Sequence, residues 1–243
     1  MIGSGETTLM RLTTAYAEID NGGKEIIPTL IDRVQDRNGK TLFRHDNRPC
    51  DGCQNVPWTG QPVPVIPDTR PQIQDPRTAY QMVEMLEGVV QRGTARRISE
   101  LGRPLAGKTG TTNDAKDLWF IGFSPDLVVG TYVGYDEPKT LGRREQGATV
   151  AAPIFKEFMG LALANQSPVP FRIPTGLRLV HVDAYSGQPA PPSDPDGIWE
   201  AYLPGTEPGI DHPLPPNADI LTSTGANTAQ SLPSATTGTG GIY

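Results

Sequence analysis

Six consecutive residues, Gly107-Lys108-Thr109-Gly110-Thr111-Thr112, fit two unrelated chemical motifs that demand different local structures. Gly102 followed by four residues and then Gly107-Lys108-Thr109 matches G-x-x-x-x-G-K-[ST], a nucleotide-binding loop whose backbone N–H groups cradle phosphate. Lys108-Thr109-Gly110 also reads as K-T-G, a triplet that serves serine acyl-transfer chemistry. The phosphate loop requires a buried strand before it and a helix after its lysine. Upstream, Arg96-Arg97-Ile98-Ser99-Glu100-Leu101 is too polar for a strand buried on both faces, and downstream Gly110, two β-branched threonines and Asn113-Asp114 make a poor helical first turn. The run Leu118–Phe123, the turn Ser124-Pro125-Asp126 and the run Leu127–Tyr135 read as strand, turn, strand. Context therefore favours K-T-G on a strand.

On such a strand, alternation sends Lys108 and Gly110 to one face and Thr109 and Thr111 to the other, with all of them meeting at a sheet edge. There the Lys108 ammonium can pair with a substrate carboxylate, the Thr109 hydroxyl can donate to it, and Gly110 lets a backbone approach closely. The backbone N–H of Thr111 is a candidate oxyanion donor. Thr112, Asn113 and Asp114 are candidates to line the cleft, although turns favour these residue types for their own reasons.

The wider neighbourhood strengthens K-T-G. Gly107 through Asp114, followed by Asp117-Leu118-Trp119-Phe120-Ile121-Gly122-Phe123-Ser124-Pro125, closely resembles the third-motif region of class A penicillin-binding proteins. Gly5-Glu6-Thr7-Thr8-Leu9, Ala15-Tyr16-Ala17 and Asn21-Gly22-Gly23 resemble the helix that precedes that region in the same family. Gly93-Thr94-Ala95 and Ala151-Ala152-Pro153-Ile154-Phe155 match further positions in the right order, so the resemblance runs, with gaps, from about Gly3 to about Pro208.

The resemblance implies a mixed α+β fold of the β-lactamase/transpeptidase type, an antiparallel sheet flanked by helices, incomplete at its N-terminus. It implies a serine nucleophile in S-x-x-K and a relay serine in S-x-N, both preceding K-T-G, yet no serine from Ser4 to Ser234 sits in either pattern. The simplest expectation is a C-terminal fragment of a DD-transpeptidase, inactive alone, and a diverged pseudoenzyme is the lesser alternative. The intact enzyme would crosslink peptidoglycan stem peptides through a serine acyl-enzyme on D-alanyl-D-alanine, bind β-lactams, need no cofactor, and carry a glycosyltransferase domain elsewhere. It would be a cell-wall protein on the periplasmic side of the bacterial inner membrane, held by an N-terminal anchor. Two other readings stay open: a P-loop nucleotide hydrolase using Gly102 to Thr109, and a noncatalytic envelope-binding module.

Composition suits a modest core. Among 243 residues there are 27 glycines and 25 prolines, and hydrophobic content is 36%. No stretch approaches the roughly 18 continuous apolar residues of a membrane span, and Met1–Glu6 has neither the basic region nor the apolar run of a signal peptide. Taken without the resemblance, this would point to the cytoplasm. Net charge is -6 with no extended basic cluster, which argues against nucleic acid or anionic lipid as partner.

Cys50 and Cys53, the only cysteines, sit as Cys50-Asp51-Gly52-Cys53 in a Pro- and Gly-rich stretch. With His45 the only nearby histidine, a zinc site lacks ligands, so no metal is assigned. A local disulfide or two free thiols pinning a loop is the plain reading, with the disulfide favoured in an oxidising envelope. His181 and His212 read as solvated surface.

Thr8 caps a helix to about Ile19 with Leu9, Leu12 and Tyr16 as its core stripe, ended by Asn21-Gly22-Gly23. Asn38-Gly39 joins a hairpin. Asp75-Pro76 opens a second helix that buries Tyr80, Val83, Leu86 and Val90 and stops at Gly93. A third helix has Pro153 in its first turn and turns Ile154, Phe155, Phe158 and Met159 to the core. The expected organisation is 1–165 transpeptidase portion with an irregular insert at 46–74, 166–204 a short β extension, and 205–243 a disordered tail rich in Pro, Thr, Ser and Gly.

Overall fold

A computed structural model describes residues 6–50, 57, 59, 60, 62 and 66–209. Helix α1 (Leu9–Asp20) starts where Thr8 accepts the Arg11 N–H on its side chain. Strands β1 (Arg33–Gln35) and β2 (Thr41–Arg44) form the expected antiparallel hairpin, shorter than its apolar run. Its turn includes Gly39 at φ 81°, in the left-handed region glycine tolerates. Helix α2 (Pro76–Gln91) is capped by Asp75 and buries Tyr80, Val83, Leu86 and Val90. The polar Arg96–Leu101 segment forms a 3₁₀ helix ended by Gly102 at φ 63°.

Strands β3 (Ala106–Thr111), β4 (Asp117–Ser124) and β5 (Leu127–Gly134) form an antiparallel sheet in the order β3-β4-β5. Pro125 and Asp126 make the β4–β5 turn because Ser124 pairs directly with Leu127. A π-helical turn, Gly147–Ala151, leads into α3 (Ala152–Ala162), and strands β6 (Arg178–Asp183) and β7 (Gly197–Tyr202) pair as a separate ribbon.

Alternation along β4 divides the core. Phe123 packs with Ala106 of β3, with Tyr80, Val83 and Leu86 of α2, and with Tyr16 and Ile19 of α1. Phe120 faces the opposite way, against Phe155 and Met159 of α3, Ile98 and Val90. Phe120, Phe123 and Phe155 are fully buried, each burial contributing about 1.5–3 kcal/mol over leaving the ring in water. The sheet thus has α1 and α2 on one face and α3 on the other. The β6–β7 ribbon is tied to α2: Gln81 Nε2 donates to Ala201 O at 2.8 Å, and Ala201 N–H donates to Glu84 Oε2 at 2.6 Å.

Several sequence expectations need correction. Ile154 and Phe158 do not face the core; they are about half exposed, because α3 turns its other side, Ala152, Phe155 and Met159, inward. Helix α1 has no fully buried residue; of its apolar stripe, Tyr16 reaches Phe123 with ring centroids 6.4 Å apart, while Leu9 stays exposed. His181 is half-buried against Trp199, with Nδ1 3.2 Å from Ala190 O. Residues 205–209, read as the start of a tail, form a turn in which buried Glu207 pairs with Arg178 at 3.0 Å. The remaining tail, 210–243, with His212, lies outside the described residues. The 46–74 insert has no named helix or strand among its described residues, although Gln72 makes a bridge with Lys24. Cys50 is disulfide-bonded, and Cys53 lies outside the described residues. Among the described residues no helix is long and apolar enough to cross a membrane.

Candidate active site

K-T-G lies on β3, at one end of the sheet order. A strand running through Lys108 to Thr111 is incompatible with the phosphate loop, which needs a helix to begin at the lysine. The strand therefore excludes the nucleotide-loop reading of Gly102 to Thr109.

Two cross-strand rows place the side chains. Lys108 pairs with Ile121 and Ile121 with Gly130, over which α1 lies, so that a Cβ at 130 would collide with Thr13. Gly110 pairs with Trp119, and Trp119 with Tyr132, whose rings sit 4.7 Å apart between centroids. Lys108 and Gly110 thus share the α1 face, and Gly110 is where the Trp119 Cβ comes within 3.1 Å of an added Cβ. Thr109 and Thr111 take the other face, as alternation requires.

The Lys108 ammonium is half-buried, and its hydrogen bond is to the carbonyl of Thr109 at 3.1 Å. Burial holds its pKa below the ordinary lysine value, and no carboxylate among the described residues offsets that effect. A partly desolvated cation without an anionic partner is costly. Supplying an anion is the direct way to relieve it.

The backbone at this margin is equally specific. Thr112 N–H donates to Asp117 O at 3.0 Å. In an antiparallel ladder bonded residues alternate, so Gly110 and Lys108 also bond toward β4. The N–H groups of Thr109 and Thr111 therefore point away from β4, toward the free side of the sheet. Thr109 Oγ1 lies 3.0 Å from Thr94 Oγ1, and Thr111 Oγ1 accepts the N–H of Gly147 at 3.0 Å.

Thr112 is committed to closing the β3–β4 connection: Asp117 N–H donates to its Oγ1 at 2.8 Å. Asn113 and Asp114 lie beyond the strand in a short 3₁₀ turn, both exposed, with Asp114 at φ 60° and 4.0 Å from Lys116. The structure thus brings Lys108, Thr109, Gly110 and Thr111 to one edge and leaves Thr112 to Asp114 at its rim. Thr94, Gly147, Asp117 and Tyr132 hold this edge and were not singled out as site residues. Thr94 and Asp117 stood inside the resembling segments, but no local pattern marked Gly147 or Tyr132. The cavity of about 600 Å³ lined by Asp20, Tyr80, Asp126 and Phe171 lies at the β4–β5 turn, at the other end of the sheet from Thr111, and has no part in this edge.

The chain matches the family described as the penicillin binding protein transpeptidase domain over residues 2–160. It is 45% identical over 204 residues to penicillin-binding protein 1A of Rickettsia bellii, covering 83% of this chain and 25% of that protein. The corresponding protein of Neisseria gonorrhoeae is 40% identical over 177 residues, covering 72% of this chain and 20% of its own length. Among solved structures, the crystal structure of penicillin-binding protein 1A from Haemophilus influenzae superposes with a TM-score of 0.70 at 30% identity, covering 87% of this chain and 34% of that one. The penicillin-binding protein PonA1 of Mycobacterium tuberculosis gives 0.55 at 26% identity, covering 72% and 43%. The chain spans about a quarter of the length of the curated relatives it matches. With these matches and the mixed antiparallel fold, the chain belongs to the penicillin-binding protein transpeptidase family, as the C-terminal portion of a class A type transpeptidase domain.

Proposed function

We propose that this chain supplies the carboxylate-binding and oxyanion-stabilising edge of a peptidoglycan DD-transpeptidase, with the attacking serine contributed by a preceding segment of a longer polypeptide. The observation that carries this reading is the half-buried Lys108 ammonium, unpaired with any carboxylate among the described residues, beside a strand margin whose N–H groups face outward. In this arrangement the terminal carboxylate of a D-alanyl-D-alanine stem peptide pairs with Lys108 and the Thr109 hydroxyl, and Gly110 admits its backbone. As the serine oxygen bonds to the penultimate carbonyl carbon, negative charge gathers on that carbonyl oxygen, and the Thr111 N–H stabilises it. The terminal D-alanine leaves with a proton on its nitrogen, and a neighbouring stem-peptide amine then takes the acyl group from serine. β-Lactams present the same carboxylate and carbonyl, so they acylate the same serine. Thr112, Asn113 and Asp114 form the rim of the cleft.

The longer polypeptide is a cell-envelope enzyme acting on the periplasmic side of the inner membrane, with a glycosyltransferase domain outside the present chain. The test compares two proteins with a fluorescent penicillin. The present chain should form no covalent adduct and should not release D-alanine from a D-alanyl-D-alanine peptide. A polypeptide joining it to the S-x-x-K and S-x-N segments should form a stoichiometric adduct. An adduct on the present chain alone would refute the assignment of the nucleophile elsewhere.

A further inference from the structure

Beyond Thr111 the chain does something energetically unfavourable. Asp114 and Ala115 both take positive φ, 60° and 49°, where side chains other than glycine are strained. Such a turn persists only when its surroundings determine it. Three backbone bonds do so: Thr112 N–H to Asp117 O at 3.0 Å, Ala115 N–H to Thr112 O at 3.0 Å, and Leu141 N–H to Ala115 O at 2.9 Å.

The side chain of Asp117 is the hub. Its own N–H donates to Thr112 Oγ1 at 2.8 Å, and that hydroxyl lies 3.2 Å from Asp117 Oδ2. Its other carboxylate oxygen accepts the Tyr132 phenol at 2.8 Å. One residue therefore joins the end of β3, the start of β4 and the middle of β5. The phenol holds its proton more firmly than an ordinary tyrosine because of this bond to Asp117. The aromatic ring of Tyr132 packs at a tilt of 57° against Trp119, which in turn lies over Gly110. Both ends of this linkage reach the strand segment Gly110–Thr111–Thr112, where the outward N–H of Thr111 sits.

We propose that Asp117, held by Tyr132, is a positioning residue that fixes the end of β3 so that the Thr111 N–H is set for the developing oxyanion. The proposal rests on the transpeptidase reading of that edge. Asp117 touches neither substrate nor reacting atom; it acts through Thr112. Its removal should therefore slow the step in which charge develops and leave initial binding, governed by Lys108, close to unchanged.

The test uses the longer polypeptide and stopped-flow acylation by a penicillin, resolving the initial dissociation constant from the acylation rate constant. Asp117→Ala should lower the rate constant by roughly tenfold to a hundredfold, the scale of a displaced catalytic group, with the dissociation constant within about twofold. Asp117→Asn keeps an oxygen for Tyr132 and should recover most of the rate, and Tyr132→Phe should show an intermediate loss. Equal loss of melting temperature in Asp117→Ala and Asp117→Asn with rates tracking only the folded fraction would overturn the proposal. An Asp117→Ala rate constant equal to that of the unsubstituted protein would overturn it as well. Failure of the unsubstituted polypeptide to acylate would instead overturn the transpeptidase reading, and this inference with it.

Discussion

The backbone N–H of Gly147 donates to the hydroxyl of Thr111 at 3.0 Å, tying the turn that begins α3 to the last residue of the K-T-G strand. Thirty-six positions of sequence separate them, and the contact leaves no room for a side chain. A Cβ at 147 would run into the backbone oxygens of Trp119 and Gly110.

Gly147→Ala is consequently expected to push the turn off the sheet, where neither backbone neighbour can yield. Overpacking of this kind costs about 1–3 kcal/mol. Chemical denaturation should show that loss, and the Thr111 amide should shift in nuclear magnetic resonance spectra. A neutral substitution with unshifted Thr111 would contradict the packing described.

Phe155 of α3 meets Phe120 of β4 at 4.8 Å between centroids, both fully buried, and Gly122 is the gap that receives the Phe155 ring. Phe155→Ala should destabilise by about 3–5 kcal/mol, whereas Ile154→Ala and Phe158→Ala, on the exposed side of the same helix, should each cost far less in this chain. Equilibrium unfolding of the three variants ranks them directly.

Asp20, Glu84 and Glu87 each have a pKa raised by burial to about 7. Asp126 adds to the effect at Asp20, while the Ala201 N–H partly offsets it at Glu84. The folded chain therefore binds more protons than the unfolded chain, whose carboxyls titrate near pH 4. The stabilisation is present below that value and is lost as pH rises toward about 7. Melting temperature should fall between pH 5 and pH 8 on the order of a few degrees, and Glu87→Gln should flatten the slope.

Lys108 gives a pH dependence of binding rather than of folding. Burial lowers its pKa, so the ammonium discharges at a lower pH than the roughly 10.4 of a free lysine, and a bound carboxylate should raise it again. Affinity of the longer polypeptide for a penicillin should decline on an alkaline limb below that value. Lys108→Arg, charged throughout, should abolish the limb even if it binds less well.

What the sequence disclosed follows from the range of the forces involved. Helix α2 was legible because Asp75, Pro76 and the spacing of Tyr80, Val83, Leu86 and Val90 are local signals. K-T-G as a strand was legible because its flanks ruled out a helix, and alternation alone then separated Lys108 from Thr109. Ile154 and Phe158 were misjudged because apolar content does not reveal which side of a helix faces the sheet; the buried side is that of Ala152, Phe155 and Met159. The half-burial of His181 depends on Trp199 arriving from another strand. Asp117 and Tyr132 were hidden for a related reason, since their bond exists only through the register of β4 with β5.

The role proposed for Lys108 is to receive the carboxylate of a peptide-like substrate at the free margin of β3. Acylation of the longer polypeptide by a penicillin, compared with its Lys108→Ala variant, tests this most directly. Initial binding should weaken and the second-order rate constant should fall by about a hundredfold, the scale of a lost charge-assisted contact of about 2–5 kcal/mol. A penicillin analogue lacking the carboxylate should not discriminate between the two proteins. Equal second-order rate constants for the carboxylate-bearing penicillin would contradict it.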